Sequence, residues 1–157
     1  MKTPNFSNNE KQFFKEILSN HKDYLEYGAG ETTLIAKDIC NVTSIETDIE
    51  WAKKTGAIHV DIGKTASWGY PVNPPTIKQL SDYLSYAKGY TYDIMLIDGR
   101  FRVAVAYFAR NCEFMIHDYD RKEYHIIETF ARKIHQVETL ALFKKINHKR
   151  VHIFSPL

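Results

Sequence analysis

Apolar and polar positions change period repeatedly along this chain. Behind Asn8 and Asn9, either of which can cap a helix, Phe13, Phe14, Ile17 and Leu18 recur on one helical face. Asp23 to Tyr27 then reads as a short strand ending at Gly28, and Thr32 to Asp38 as a helix. Asn41 to Glu46 and Ala57 to Val60 read as strands flanking a helix from Ile49 to Lys54. Asp61 to Pro75 is rich in Gly, Pro, Ser and Trp and reads as a long loop. A helix from Thr76 to Ala87 precedes Tyr92 to Ile97, a nearly continuous apolar run of the kind buried on both faces of a parallel sheet. Val103 to Arg110 reads as a helix and Glu113 to Ile116 as another buried strand. The best helical stripe is Tyr124, Ile127, Phe130, Ala131 and Ile134, which predicts a helix over Arg121 to Gln136. Thr139 to Phe143 and Val151 to Phe154 read as two closing strands joined by the charged turn Lys144 to Arg150.

Strand and helix thus alternate five times before a terminal hairpin. The pattern predicts an α/β fold: a Rossmann-like, doubly wound sheet of seven strands, mostly parallel, with an antiparallel C-terminal edge strand. An N-terminal helix precedes it, and residues 1–157 are expected to form a single domain, with no internal repeat. Ligands of such sheets sit outside the carboxyl ends of the strands. The loops there open with Glu26 and Gly28, Glu46, Asp61, Asp98, and His117 with Asp118.

Composition narrows the classes. At 44% hydrophobic and 13% aromatic residues, disorder is not expected. A net charge of +2 is too small to imply nucleic acid or a membrane surface as partner. Cys40 and Cys112 stand far apart in apolar contexts and read as buried thiols. Met1 to Glu10 is polar, so no signal peptide is expected, and no apolar run has the length of a membrane span. A cytoplasmic setting is the expectation.

Glu26-Tyr27-Gly28-Ala29-Gly30 carries the chemistry. A dinucleotide site needs three glycines so that a pyrophosphate can rest on a helix N-terminus, and here Thr33 stands at the third position. A carboxylate at Glu26 would repel a pyrophosphate. It suits a cofactor with a cationic end, and S-adenosyl-L-methionine (SAM) has an ammonium, a sulfonium and no phosphate. Glu46, eighteen residues after Gly28, is placed to accept the ribose hydroxyls. Asp61 is placed to accept from the adenine amino group.

These residues resemble the successive cofactor motifs of the class I SAM-dependent methyltransferases, and the resemblance covers nearly the whole chain. More narrowly, Asp61-Ile62-Gly63-Lys64-Thr65 with Trp68-Gly69-Tyr70-Pro71, Ile97-Asp98-Gly99-Arg100-Phe101-Arg102-Val103, and His117-Asp118-Tyr119 with Tyr124-His125 are similar to a small, mostly uncharacterised bacterial and viral branch whose members often accompany glycan-assembly genes. The resemblance implies O-methylation of a sugar or glycan hydroxyl, and a small-molecule or glycan acceptor. It also implies a homo-oligomer or a place in a larger glycan-synthesis assembly.

Asp98 and Asp118 end adjacent strands, as do the metal ligands of the catechol-type O-methyltransferases, which implies magnesium or manganese there. Tyr119 replaces the Asn of that pattern, leaving the metal open. His117 is the leading general-base candidate, with Asp98 or Asp118 to orient it; the bland alternative is a histidine that caps its strand. His125 faces either the same crevice or solvent. Arg100 and Arg102 either clamp a phosphate or carboxylate of the acceptor, with Arg100 favoured, or pair with Asp98 and Asp118. Trp68 either lines the adenine or acceptor site or anchors its loop, and Trp51 reads as packing. Asn73-Pro74-Pro75 precedes a helix and reads as a loop. Two other functions stay open: an NAD-dependent oxidoreductase, which fits Glu46 but not Glu26, and a non-catalytic SAM-fold binding or assembly module.

Overall fold

A computed structural model describes residues 6–89, 91–110 and 113–146. In chain order it contains α1 (Asn8–Leu18), β1 (Asp23–Tyr27), α2 (Glu31–Lys37), β2 (Asn41–Glu46), α3 (Ile49–Thr55), β3 (Ile58–His59), α4 (Ile77–Ser85), β4 (Ile94–Ile97), α5 (Arg102–Phe108), β5 (Glu113–Ile116), β6 (Ala131–Val137) and β7 (Leu140–Lys145). The seven strands form one sheet in the order β3-β2-β1-β4-β5-β7-β6. β1 to β5 are mutually parallel, and β7 runs antiparallel to both β5 and β6. The expected α/β class and mostly parallel seven-stranded sheet are therefore present, and the antiparallel strand lies one place in from the edge. Strand order reverses between β1 and β4, and a doubly wound sheet opens its crevice at that switch point.

Period-two alternation builds two cores. Tyr24, Ile94, Leu96, Met115, Leu140 and Leu142 face α1 and α2. Leu25, Tyr27, Met95, Ile97, Phe114 and Ile116 face α4 and α5. All four residues of β4 are buried, which is why that segment reads as unbroken apolar sequence. Cys40 is half-buried and its thiol is pushed up to about 11, burial being the main cause; Cys112 lies outside the described residues.

The C-terminal third departs from expectation. No α-helix spans Arg121 to Gln136; a 3₁₀ segment, Lys122–Thr129, is followed by β6. Ile127 and Ala131 of the apolar stripe are buried, but Ile134 is 45% exposed, so the stripe is not one buried face. β7 instead needs a partner on its outer side, and β6 supplies it through a turn at Glu138 and Thr139, with Val137 opposite Leu140 and Glu138 at φ +51°. The hairpin closes before Leu140 and not after Phe143. Lys144 and Lys145 belong to β7, while the rest of the expected turn beyond Ile146 and the strand at Val151 to Phe154 lie outside the described residues.

Helix α1 is capped by Ser7, not by Asn8 or Asn9. The Ser7 hydroxyl accepts from the Glu10 amide (3.1 Å), and Glu10 Oε2 accepts from the Ser7 amide (2.9 Å). The other Glu10 oxygen accepts from the amide and hydroxyl of Thr139 (2.9 and 2.7 Å), tying α1 to the β6–β7 turn.

Candidate active site

The crevice at the carboxyl ends of β1, β2, β4 and β5 is a cleft of about 860 Å³. Its floor depends on a close backbone approach. Gly28 has φ +93°, and a Cβ there would lie 2.9 Å from the Asp98 carbonyl carbon and oxygen and the Gly99 amide. Gly99 meets the same crowding from the other side, at 3.0 Å from the Gly28 nitrogen. Gly28→Ala is therefore expected to lose about 2–4 kcal/mol of stability, from left-handed strain and overpacking together. Urea unfolding measures it, and a loss below about 0.5 kcal/mol would contradict this account of the approach.

Glu46 ends β2 and organises the glycine loop. Its Oε2 accepts from the Ala29 amide (3.0 Å), and its Oε1 accepts from the amides of Thr47 (2.7 Å) and Asp48 (2.9 Å). Burial pushes its carboxyl pKa up, and the three amides offset that only in part. Glu46 lines the cleft, as do Gly28, Gly30 and, from α3, Trp51, whose indole N–H donates to the Ala29 carbonyl. Trp51 was expected merely to pack; it also holds the loop.

Glu26 does not line the cleft. It is fully buried beneath the loop, where four hydroxyls donate to it: Tyr24 (2.8 Å), Thr32 (3.0 Å), Ser44 (2.8 Å) and Thr33. Its burial raises the carboxyl pKa against those donors. The carboxylate thus fastens the N-terminus of α2 to β1 and β2. Asp61 also lies outside the cleft lining; it is exposed, and its Oδ1 accepts from the Gly63 amide (2.7 Å) in a local turn.

Across the cleft, Arg102 is the residue around which the other groups assemble. It is 6% exposed. Its Nε donates to the Gly99 carbonyl (3.1 Å), Nη1 to the His117 carbonyl (2.7 Å) and Asp118 Oδ2 (3.2 Å), and Nη2 to the Asp98 carbonyl (3.2 Å), while Nη2 also forms an ion pair with Asp98 Oδ1 at 3.2 Å. Of the two sequence readings for Arg102, pairing with Asp98 and Asp118 is the one present. His117 is buried at the end of β5, its Nδ1 3.2 Å from Asp98 Oδ1 and its Nε2 3.6 Å from Glu10 Oε2, with the Phe6 ring 4.5 Å away. Burial disfavours charge on this ring, but Asp98, then Asp118 and Glu10, outweigh it and hold the His117 pKa above its ordinary value. Glu10 escaped the functional reading of the sequence, although Ser-x-x-Glu before an apolar run is a capping-box signature.

The ligand atoms of Asp98, His117 and Asp118 lie within 4.8 Å of one another, close enough to hold a cation. The guanidinium of Arg102 already bridges both carboxylates, however. A divalent ion would meet that fixed positive charge at short range. As folded, this donor set fits its resident guanidinium and not a divalent metal.

The long loop crosses back over the cleft. Thr65 pairs with Pro71, the Ala66 amide donates to the Tyr70 carbonyl (2.7 Å), and Ser67–Gly69 forms a 3₁₀ turn. The Thr47 hydroxyl holds the Gly69 carbonyl (3.1 Å). Trp68 and Tyr70 are thereby presented, half-exposed, in the cleft wall, and the Arg100 guanidinium stacks 3.8 Å above the Tyr70 ring. His125 does not join them. It is exposed on the 3₁₀ segment after β5, and its Nε2 pairs with the Tyr119 carbonyl (3.0 Å).

Three of the four non-glycine residues with positive φ among those described are Trp68, Phe101 and Asp118. Trp68 and Asp118 line the cleft, and Phe101 lies between Arg100 and Arg102. Strained backbone concentrates where a site must be held in one geometry.

No protein-family model and no curated protein matches this sequence. Solved structures do. A methyltransferase-like protein from Silicibacter pomeroyi aligns at 25% identity over 90% of this chain and 87% of its own, with a TM-score of 0.77. The chain has a SAM-dependent methyltransferase fold. MycE, a methyltransferase of the mycinamycin biosynthetic pathway, aligns at 13% identity over 98% of this chain with a TM-score of 0.52 in its complex with Mg and S-adenosylhomocysteine (SAH). The chain spans about half of MycE, 54% of its length. Among the described residues no helix is long and apolar enough to cross a membrane.

Proposed function

We propose that this protein is a SAM-dependent methyltransferase acting on a hydroxyl of a sugar or glycan. The observation that carries the reading is the polarity of the cleft at the carboxyl ends of the strands. Glu46, Asp48 and Glu50 outweigh Lys54 at the glycine-loop end, which suits a cofactor with cationic groups, and a compact carboxylate–imidazole–guanidinium cluster stands at the opposite wall. Bound SAM supplies a methyl group on a sulfonium, ready for in-line attack. Glu46 keeps acceptor capacity on Oε2 for the ribose hydroxyls. Asp98 is the proton acceptor proposed for the attacking hydroxyl, in place of His117. Both His117 nitrogens face protein carboxylates, whereas Asp98 Oδ2 takes part in none of the contacts described. His117 and Arg102 position Asp98, and the hydroxyl proton leaves as the O–C bond forms and the C–S bond breaks. The reading includes no divalent cation, because Arg102 supplies the positive charge at that wall.

Calorimetric titration tests it. SAM and SAH are expected to bind, NAD not to bind, and millimolar magnesium or manganese to add no heat and no affinity. NAD binding in place of SAM would overturn the proposal. A stoichiometric manganese isotherm would overturn its metal-free form.

A further inference from the structure

We infer that the acceptor carries an anionic group, a carboxylate or a phosphate, seated on Arg100. Charge accounting at the acceptor wall leads there. Arg102 is spent on Asp98 and Asp118, Arg121 on Asp118 (3.1 Å), and His117 on Asp98 and Glu10. Arg100 pairs with no carboxylate among the described residues, and its buried Nε has no hydrogen-bond partner. A guanidinium in that state retains unspent donor capacity and a desolvation cost that an anion would offset. It is also held in place. The Tyr83 hydroxyl accepts from the Arg100 amide (3.0 Å) and donates to its carbonyl (3.1 Å), while the guanidinium carbon sits over the Tyr70 ring, 3.8 Å from its centroid. Because Arg102 and Arg121 together offset the charges of Asp98 and Asp118, Arg100 is the surplus cation at this wall, and an anion reaching it meets net positive charge beside the proposed proton acceptor.

This inference deepens the proposed methyltransferase reading, yet anion binding can be measured whether or not a methyl is transferred. The probes are inorganic phosphate, glucose 6-phosphate, glucuronate and neutral glucose, titrated by calorimetry into the protein with and without saturating SAH. At least one anionic sugar is expected to bind about tenfold or more tightly than glucose. The stronger of the two identifies phosphate or carboxylate as the natural group. Arg100→Gln is expected to lower that affinity about tenfold while SAH affinity is unchanged. In the wild type, affinity for the anionic sugar is expected to fall as NaCl is raised, which serves as the check should Arg100→Gln fold poorly. Glucose binding as tightly as both anionic sugars, or full anion affinity in folded Arg100→Gln, would overturn the inference. Anion preference without SAH binding would leave the anion site standing and remove the methyltransferase reading; SAH binding without anion preference would do the reverse.

Discussion

Replacing Arg102 by methionine is expected to cost about 3–5 kcal/mol of stability and to abolish turnover. The side chain is 6% exposed and makes five polar contacts, two of them to carboxylates. Its removal leaves Asp98 and Asp118 facing each other and orphans the carbonyls of Gly99 and His117. Arg121 and His117 still pair with these aspartates, which places the expected cost toward the lower end of the range. The same variant frees the three ligand atoms that lie within 4.8 Å, so manganese is expected to bind to it and not to the wild type. Chemical unfolding and manganese titration on one preparation read both effects. A variant as stable and as active as the wild type would remove Arg102 from the centre of the site.

Glu46→Ala is expected to weaken SAM affinity about 100-fold, or about 3 kcal/mol. Two losses combine. Ribose hydroxyls lose a charged acceptor, and the amides of Ala29, Thr47 and Asp48 lose the oxygens that shape the loop around the cofactor. Asp118→Ala gives the contrast: SAM affinity within about threefold of wild type, and turnover lost, since Asp118 braces Arg102 and Arg121 at the far wall. Equal losses of binding in the two variants would mean that the cleft does not divide into a cofactor end and an acceptor end.

Much of this was legible in residue order. β1, β2 and β5 begin and end where hydrophobic pattern and turn residues place them, and all five loops expected at the crevice line it, the one after β3 through Ser67 to Tyr70 and not through Asp61. Glu46 and Asp98 lie where residue order placed them, as carboxylates at the carboxyl ends of parallel strands that line the cleft. Glu26 was found for a partly wrong reason. Position showed that a carboxylate lies under the glycine loop, but the hydroxyls of Tyr24, Thr32, Thr33 and Ser44 that claim it come from three different elements. The stripe from Tyr124 to Ile134 misled, because helical and strand periods both bring Ile127 and Ala131 inward over so short a run, and the strand is decided by pairing with β7.

The sequence by itself determined the alternation of strands and helices, and with it the sheet and the end of the sheet that carries the chemistry. Those follow from side-chain period and turn geometry, which neighbours along the chain specify. Tertiary structure decided that Arg102 stands between Asp98 and Asp118, that both His117 nitrogens are engaged, and that Tyr70 packs against Arg100 in the cleft. Each depends on distances between residues on different elements, so the same letters permit a clamp, a salt bridge or a metal site until packing brings one set of atoms within reach.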